Sequence, residues 1–204
     1  MAEQFTYKTI ETASTAEFKD RGSKFLAYAY PVNDEQELKE KLKELKAIHA
    51  KAVHHCYAYR LGLDGHQYRA NDDGEPSGSA GKPILGQIDS AGVTNVLVVV
   101  VRYFGGTLLG VPGLINAYKT ATAEALKNVT LVERWIEQRV DIELDYPSMS
   151  EVLYLLKKAE ATIYRQELQL FCKIDAGIPI KHLETYMPRL SEIRGVTLTP
   201  IKSS

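Results

Sequence analysis

The stretch Asn95–Gly113, NVLVVVVRYFGGTLLGVPG, decides the fold of this chain of 204 residues. Its opening part, Asn95–Val101, is almost wholly apolar and mostly β-branched, which is typical of a central strand buried on both faces. After Gly113, apolar residues recur at the spacing of one helix face as far as about Lys127. The stretch therefore predicts a buried strand, a glycine-rich turn and a helix, in that order.

A second glycine-rich stretch, Asp72–Pro83 (DDGEPSGSAGKP), also precedes a helical pattern. We call Asp72–Pro83 the first glycine segment and Arg102–Gly113 the second; together they hold seven of the chain's 14 glycines. Glycine permits positive φ angles and close approach of backbones, and the free amides at a helix start attract anions. We expect the functional surface here. The alternative is a pair of tight turns that only let a helix pack close to a strand.

The rest of the first 135 residues predicts a mixture of strands and helices. Asp64-Gly65 lies between two β-prone runs, a strong hairpin signal. The predicted elements are the strands Phe5–Ile10 and Lys24–Val32, an amphipathic helix capped by Asn33 and extending to about Ala50, the hairpin strands His54–Leu61 and His66–Ala70, and a short helix over Ile84–Ala91.

The chain after Trp135 predicts a second domain with the order β-α-β-β-α-β, the ferredoxin-like arrangement. We expect the last helix to kink or stop near Tyr186, because Pro188 follows it. The fold class is thus α+β, with domains at 1–135 and 136–204. The predicted elements are the strand Arg139–Tyr146, a helix opened by the capping box Ser148–Glu151, the strands Thr162–Leu168 and Gln169–Ile174, a helix from Pro179 and the strand Val196–Pro200.

Composition excludes several classes of protein. The net charge is −1, and residues 1–135 carry sixteen basic and sixteen acidic side chains, so a general coat of positive charge for nucleic acid is absent. No apolar run approaches the length of a membrane span, and no signal-peptide core is visible. Cys56 and Cys172 fit no metal or redox spacing. We expect a cytoplasmic protein with no metal and no membrane contact.

Arg102 ends the apolar strand and needs a partner there, because an unpaired buried charge is costly. The partner is a carboxylate of Asp73 or Glu75, forming a structural clamp, or the phosphate of a ligand. Tyr103 and Phe104 follow directly and offer aromatic faces on which nucleobases could stack. Aromatic residues on strands are also common core residues.

Catalytic motifs are weak. His54 and His55 project to opposite faces of a strand, so they cannot chelate one metal together. Neither glycine segment matches a Walker A loop or the dinucleotide fingerprint. An enzyme remains an alternative, in which Ser77, Ser79 and the amides of Gly78–Gly81 bind phosphate, Asp72, Asp73 or Glu75 hold Mg²⁺, and Arg102 offsets developing charge.

With both glycine segments in view, the chain resembles the YigZ/IMPACT family, on its bacterial YigZ branch. The similarity covers roughly residues 18–125 and rests on long, specific motifs. These are HHCYA at His54–Ala58, DGEPSGSAG at Asp73–Gly81, VVRYFGG at Val100–Gly106, and the pairs Leu109-Gly110 and Gly113-Leu114.

The resemblance implies a fold and a role. The family's first domain is similar to the ribosomal protein S5 domain 2-like fold, as in domain IV of elongation factor G, and its second resembles domain V of that factor. This implies an RNA- or ribosome-binding regulator of translation, with no assigned catalytic residues and no cofactor. A protein-binding regulator, marked by an exposed apolar patch, is a further alternative.

The residues expected to bind RNA or another anion come from both glycine segments and from nearby cations. They are Arg60, Arg69, Ser77, Gly78, Ser79, Gly81, Lys82, Arg102, Tyr103, Phe104, Gly105, Gly106 and Lys119, with His54, His55, Asp72, Asp73 and Glu75 as charge partners.

Overall fold

The computed structural model describes residues 5–63, 67–168 and 172–201. They form two compact units. The first unit is Tyr7–Arg134; the second runs from Trp135 onward and includes the N-terminal residues up to Thr6. The architecture is a mixed α/β fold with several sheets. None of the helices in these residues is long and apolar enough to span a membrane.

The first unit is built on a five-stranded sheet with the order β2-β3-β6-β4-β5, in which all neighbours are antiparallel. A separate pair, β1 and β7, forms a two-stranded sheet. The elements are β1 Thr6–Ile10, β2 Ser14–Asp20, β3 Ser23–Pro31, α1 Glu35–Ile48, β4 His54–Leu61, β5 Gln67–Asn71, α2 Gly81–Ala91, β6 Val96–Tyr103, α3 Gly110–Lys127 and β7 Leu131–Trp135.

Strand β6 is the centre of this sheet, as predicted. Every residue from Val96 to Arg102 is buried, because helices cover both faces. Val98 and Val100 pack against α2 and α3, while Val99 and Val101 pack on the side of α1. This alternation decides which side chains of β6 and of its neighbour β4 can share a site.

The second unit has the element order β-α-β-β-α-β that the sequence predicts. Its four strands are antiparallel in the order β11-β8-β10-β9, and one apolar core joins them to the helices. The elements are β8 Glu137–Leu144, α4 Met149–Lys158, β9 Thr162–Leu168, β10 Cys172–Pro179, α5 Leu183–Ser191 and β11 Val196–Pro200, with short 3₁₀ turns at Tyr146–Ser148 and Ile180–His182.

Several predicted boundaries were wrong. Helix α1 is capped by Asp34, whose side chain accepts from the amide of Glu37, and Asn33 instead donates to the Glu37 carboxylate. Strand β10 continues to Pro179, into the predicted helix. The structure adds β2 and β7, which the sequence analysis did not predict, and the proposed Asp64-Gly65 turn lies outside the described residues.

Helix α5 corrects the expectation for Pro188. The helix continues to Ser191 with Pro188 inside it. Proline removes one backbone donor and disfavours a helix interior. Burial of Leu190 in the core of the unit holds the last turn in place despite that cost.

Candidate functional site

The first glycine segment folds around the carboxylate of Asp72. Oδ2 of Asp72 accepts from the amide of Gly78 at 2.8 Å, and Oδ1 accepts from the amides of Ala80 at 3.0 Å and Gly81 at 2.8 Å. Burial acts to raise the pKa of Asp72, but the three amide hydrogen bonds lower it overall. The amides that were predicted to bind an anion are therefore already bonded to the chain's own carboxylate. A phosphate could bind them only by displacing Asp72.

The neighbouring Asp73 fixes both histidines of β4. Its backbone has a positive φ of 42°. The Asp73 carbonyl lies 2.8 Å from Nδ1 of His54, and its carboxylate accepts from the amide of His55 at 2.7 Å. A carbonyl only accepts hydrogen bonds, so Nδ1 of His54 carries a proton, and in the neutral ring Nε2 carries the lone pair.

Arg102 pairs with Glu75, one of the two carboxylates predicted for it. Nη1 of Arg102 donates to Oε1 of Glu75 at 2.7 Å, and their side chains are only 7% and 3% exposed. The hydroxyl of Tyr118 donates to the same oxygen at 2.8 Å. Sγ of Cys56 lies 3.3 Å from that hydroxyl and 3.0 Å from the Asp72 carbonyl. The result is a buried polar network between β4, β6, α3 and the first glycine segment.

The network is not built for thiol chemistry. Burial raises the pKa of Cys56 to about 12, so the thiol stays protonated at neutral pH and is a poor nucleophile. Burial also raises the pKa of Tyr118 far above its ordinary value, which keeps its hydroxyl as a donor to Glu75. No group of side chains in the described residues has the composition of a metal site.

A cavity of about 500 Å³ opens over the ion pair. We call His54, Glu75 and Arg102 its polar floor. The other lining residues are almost all apolar, and several of them are exposed: Leu108 is 82% exposed and Phe104 56%. We call Phe104, Leu108 and Val111 the apolar rim. The remaining lining residues are Val53, Pro76, Leu109, Gly110 and Leu114.

The structure brings some predicted site residues together and separates others. Phe104 lies beside Arg102, whose guanidinium carbon is 5.6 Å from the centre of the Phe104 ring. Tyr103 points to the opposite face of the sheet, where its hydroxyl lies 2.9 Å from Nδ1 of His49 at the end of α1. His55 also packs away from the cavity, so the predicted separation of His54 and His55 is confirmed.

The predicted cations do not gather at the cavity. Arg60 pairs with Asp89 of α2 and stacks 5.1 Å from the ring of Tyr68. Arg69 lies opposite Tyr59 in the register of β4 and β5, on the other face of the sheet. Lys82 and Lys119 are exposed on α2 and α3. Arg102 is thus the one member of the predicted cation set among the cavity's lining residues.

Some of the glycines and serines predicted to bind an anion have structural roles within the chain, and others do not. A Cβ on Gly105 would lie 1.9 Å from the carbonyl carbon of Gly22, so that turn requires glycine. Ser79 is fully buried and donates to the Pro76 carbonyl at 2.6 Å. Ser77 is exposed, and Gly106 has a positive φ of 86° in open space.

Two parts of the site were not predicted from the sequence: Tyr118 and the apolar residues of the rim beyond Phe104. Tyr118 lies in the helix predicted after Gly113 and was given no role in the site. A signal for the rim was available, because Leu108, Leu109 and Val111 are large apolar residues inside a glycine-rich turn. Turns usually carry polar residues, so apolar ones there indicate either burial or a contact surface.

These features define a class: a mixed α/β protein of two compact units, the first of which carries an apolar-walled cavity over a buried ion pair. Comparison with known proteins then gives the family. Residues 21–126 match the Impact N-terminal domain, and the chain belongs to the IMPACT family. The whole cavity lies within the matched residues.

Relatives extend the similarity beyond that domain. The IMPACT family member YvyE of Bacillus subtilis is 36% identical over 155 residues, which cover 76% of this chain and 71% of YvyE. YigZ of Escherichia coli is 30% identical over 172 residues, 83% of this chain and 84% of YigZ. A crystal structure described as that of a hypothetical protein matches 99% of this chain and 100% of its own, with a TM-score of 0.74 and 28% identity.

Proposed function

We propose that this chain is a non-catalytic regulator of translation that works by binding a protein partner at the apolar rim of the cavity. Membership of the IMPACT family supports the translational role. The observation that carries the mode of action is the rim itself. Phe104, Leu108 and Val111 expose apolar side chains around one concave site. Exposed apolar patches of this kind mark sites of protein interaction.

The charges around the cavity favour a protein partner over a phosphate backbone. Arg102 and Glu75 neutralise each other, and Asp72 already accepts three amides. A phosphate at the floor would meet the Glu75 carboxylate as well as the guanidinium. Apolar side chains of a partner meet no such opposition at the rim, where burying apolar surface contributes about 25 cal/mol per Å².

The wider fold assignments belong to the same proposal. We propose domains at 1–135 and 136–204, although the residues up to Thr6 and Trp135 group with the second compact unit; the first domain has the ribosomal protein S5 domain 2-like fold and the second the ferredoxin-like fold. The strand order β11-β8-β10-β9 and the β-α-β-β-α-β element order support the second assignment. A cytoplasmic location follows from the proposed role.

Direct contact with RNA or the ribosome is the second candidate function. It is favoured by the hairpin of β4 and β5, where Tyr68 is exposed and Arg60 stacks on its ring. An exposed aromatic ring beside a guanidinium group can stack with a nucleobase, a contact of about 1–3 kcal/mol.

Photo-crosslinking in cells separates these candidates. A photoreactive amino acid replaces Leu108 of the rim, Tyr68 of the hairpin or, as a control, Ile48. Ile48 is 63% exposed and apolar, but it lies in α1 on the opposite side of the sheet. We expect position 108 to give adducts that protease removes and RNase leaves intact, well above the yield from position 48.

Two outcomes contradict the leading proposal. RNase-sensitive adducts at position 68, with none above control at 108, would show that the chain binds RNA through the hairpin of β4 and β5 and does not bind a protein at the rim. Equal yields at 108 and 48 would show that the rim is an ordinary surface.

A further inference from the structure

The polar floor of the cavity retains three hydrogen-bonding atoms with no partner among the described residues. They are Nε2 of His54, Oε2 of Glu75 and Nη2 of Arg102, because these side chains bond through Nδ1, Oε1 and Nη1. Nε of Arg102 is buried without a partner, whereas the three atoms named are not among the buried unpaired ones. All three residues line the cavity, so a ligand inside it can reach them.

The hydrogen-bonding character of the floor is specific. In the neutral ring Nε2 of His54 is an acceptor, since Nδ1 donates to the Asp73 carbonyl. Oε2 of Glu75 is a second acceptor, and Nη2 of Arg102 is a donor. A complementary ligand group has two N–H donors and one adjacent acceptor. A primary carboxamide has this pattern, and so does the edge of a nucleobase with an exocyclic amine beside a ring nitrogen.

The charge of the floor favours an uncharged group. Arg102 and Glu75 form a buried ion pair, so their charges cancel. An anion entering the cavity would face Glu75, with Asp72 and Asp73 in the same loop. A cation would face Arg102, and either would lose hydration in an apolar-walled space. A neutral, planar polar group at one end of the ligand avoids both costs; we call this group the head of the ligand.

The apolar walls of the cavity indicate the chemical character of the rest of the ligand, to which the head is attached. Val53, Leu109 and Leu114 are apolar, and Phe104 offers a ring. Binding sites for small molecules are commonly cavities of this size, mostly apolar, with a few convergent polar groups. We propose that the cavity binds an uncharged ligand with a carboxamide or amino-heteroaromatic head on an apolar or aromatic body. This goes beyond partner docking, since such a ligand would compete with whatever the rim holds.

The test uses the full chain, labelled with ¹⁵N, and simple probes. Benzamide, benzoate and benzylamine share an aromatic body and differ in the charge of the head. Cytidine tests the nucleobase form of the same pattern, with uridine as its control because it lacks the exocyclic amine. We expect benzamide, cytidine or both to shift the amide resonances of His54, Phe104 and Val111 saturably, with Kd values of about 1 mM, as expected for fragments.

Two variants on one helix provide the matched control. Val111→Trp fills the cavity, whereas Ile115→Trp places the same bulk one turn further along α3 at an exposed residue that does not line it. Binding should be lost in the first variant and kept in the second.

The outcomes are distinct. Benzamide binding at least about tenfold tighter than benzoate and benzylamine supports the site, as does cytidine over uridine, because a mismatched head leaves a buried polar group unpaired. Benzamide alone identifies a carboxamide ligand, and cytidine alone identifies a nucleobase. Equal affinity for the charged probes, binding that survives Val111→Trp, or no saturable shift with any probe would overturn the proposal.

Discussion

Arg102 and Glu75 form the contact on which the cavity depends. Removing one partner of a buried ion pair leaves the other charged and unpaired, which costs about 3–5 kcal/mol. We therefore predict that Arg102→Met lowers the free energy of unfolding by that amount in urea denaturation. Arg60→Met is the matched control on the neighbouring strand, because Arg60 pairs with a partly exposed Asp89. It should cost less than about 1 kcal/mol. Similar losses for both variants would contradict the special position of the Arg102 pair.

Asp72 gives a second prediction at the residue scale. Its pKa is lower in the folded chain than in the unfolded chain, so its stabilisation is present above about pH 4 and is lost as pH falls through the lower folded value. Asp72→Asn should destabilise the protein at pH 7, and the difference from the unsubstituted chain should shrink by pH 3. Unfolding curves at both pH values measure this. Asp34 at the start of α1 provides a control, because its carboxylate accepts a hydrogen bond from a single amide. Asp34→Asn should lower the free energy of unfolding by less than Asp72→Asn does.

At this scale the sequence could predict that Arg102 needs a negatively charged partner, because a buried strand seldom ends on an unpaired charge. It could not choose between Asp73, Glu75 and the phosphate of a ligand, since that depends on how the loop returns to the sheet. Placing Tyr103 beside Arg102 in one site was an error that the period of a strand already argues against. Neighbouring residues of β6 face opposite sides, and the structure places them so.

Helix α2 carries a prediction at the scale of elements. A Cβ on Gly81 would lie 2.5 Å from the backbone nitrogen of Asn71 in β5, whereas one on Gly86 would meet nothing within 4 Å. Gly81→Ala should destabilise the protein by about 1–3 kcal/mol through overpacking. Gly86→Ala, in the exposed middle of the same helix, should stabilise it by up to about 1 kcal/mol. Thermal unfolding of both variants tests the difference. If both substitutions stabilised the protein, or both destabilised it, the close contact of α2 with β5 would be contradicted.

Elements with a complete apolar pattern could be predicted, and partly exposed ones could not. Strand β6 is apolar throughout and was identified directly. Edge strand β2 (STAEFKD) has no fully buried residue, so its apolar signal was too weak to recognise. The three hydrogen bonds from amides of the first glycine segment to Asp72 depend on the conformation of the loop, which the periodicity of the sequence does not predict. That is why the amides were predicted to be free.

At the scale of the whole molecule, the balance of charge separates the two candidate functions. The chain has a net charge of −1, and its predicted cations lie on different faces. We predict that the complex with a partner captured at the rim changes its Kd by less than about threefold between 50 and 200 mM salt. RNA held through six or more phosphates would instead lose about 10³–10⁵ in affinity over that range. Titrations of the purified complex at several salt concentrations measure the slope.

The order of elements across both units followed from the change between strand and helix periodicity along the chain. Which residues meet at the cavity did not follow, because His54, Glu75 and Arg102 come from three separated segments. Their convergence is a property of strand register and of the loop before α2. The apolar rim could not be predicted for a related reason: Leu108 and Val111 carry no group that binds an anion, and only the fold shows that they surround a cavity.

The most direct test of the central claim, that the cavity is the working surface, is the yield of protein adducts from a photoreactive residue at position 108 when the cavity is filled. Val111→Trp fills it, and Ile115→Trp adds the same bulk outside it. We predict that the first substitution abolishes the adducts and that the second leaves their yield unchanged. Adducts that persist undiminished in Val111→Trp would show that the partner does not use the cavity, and would contradict the account.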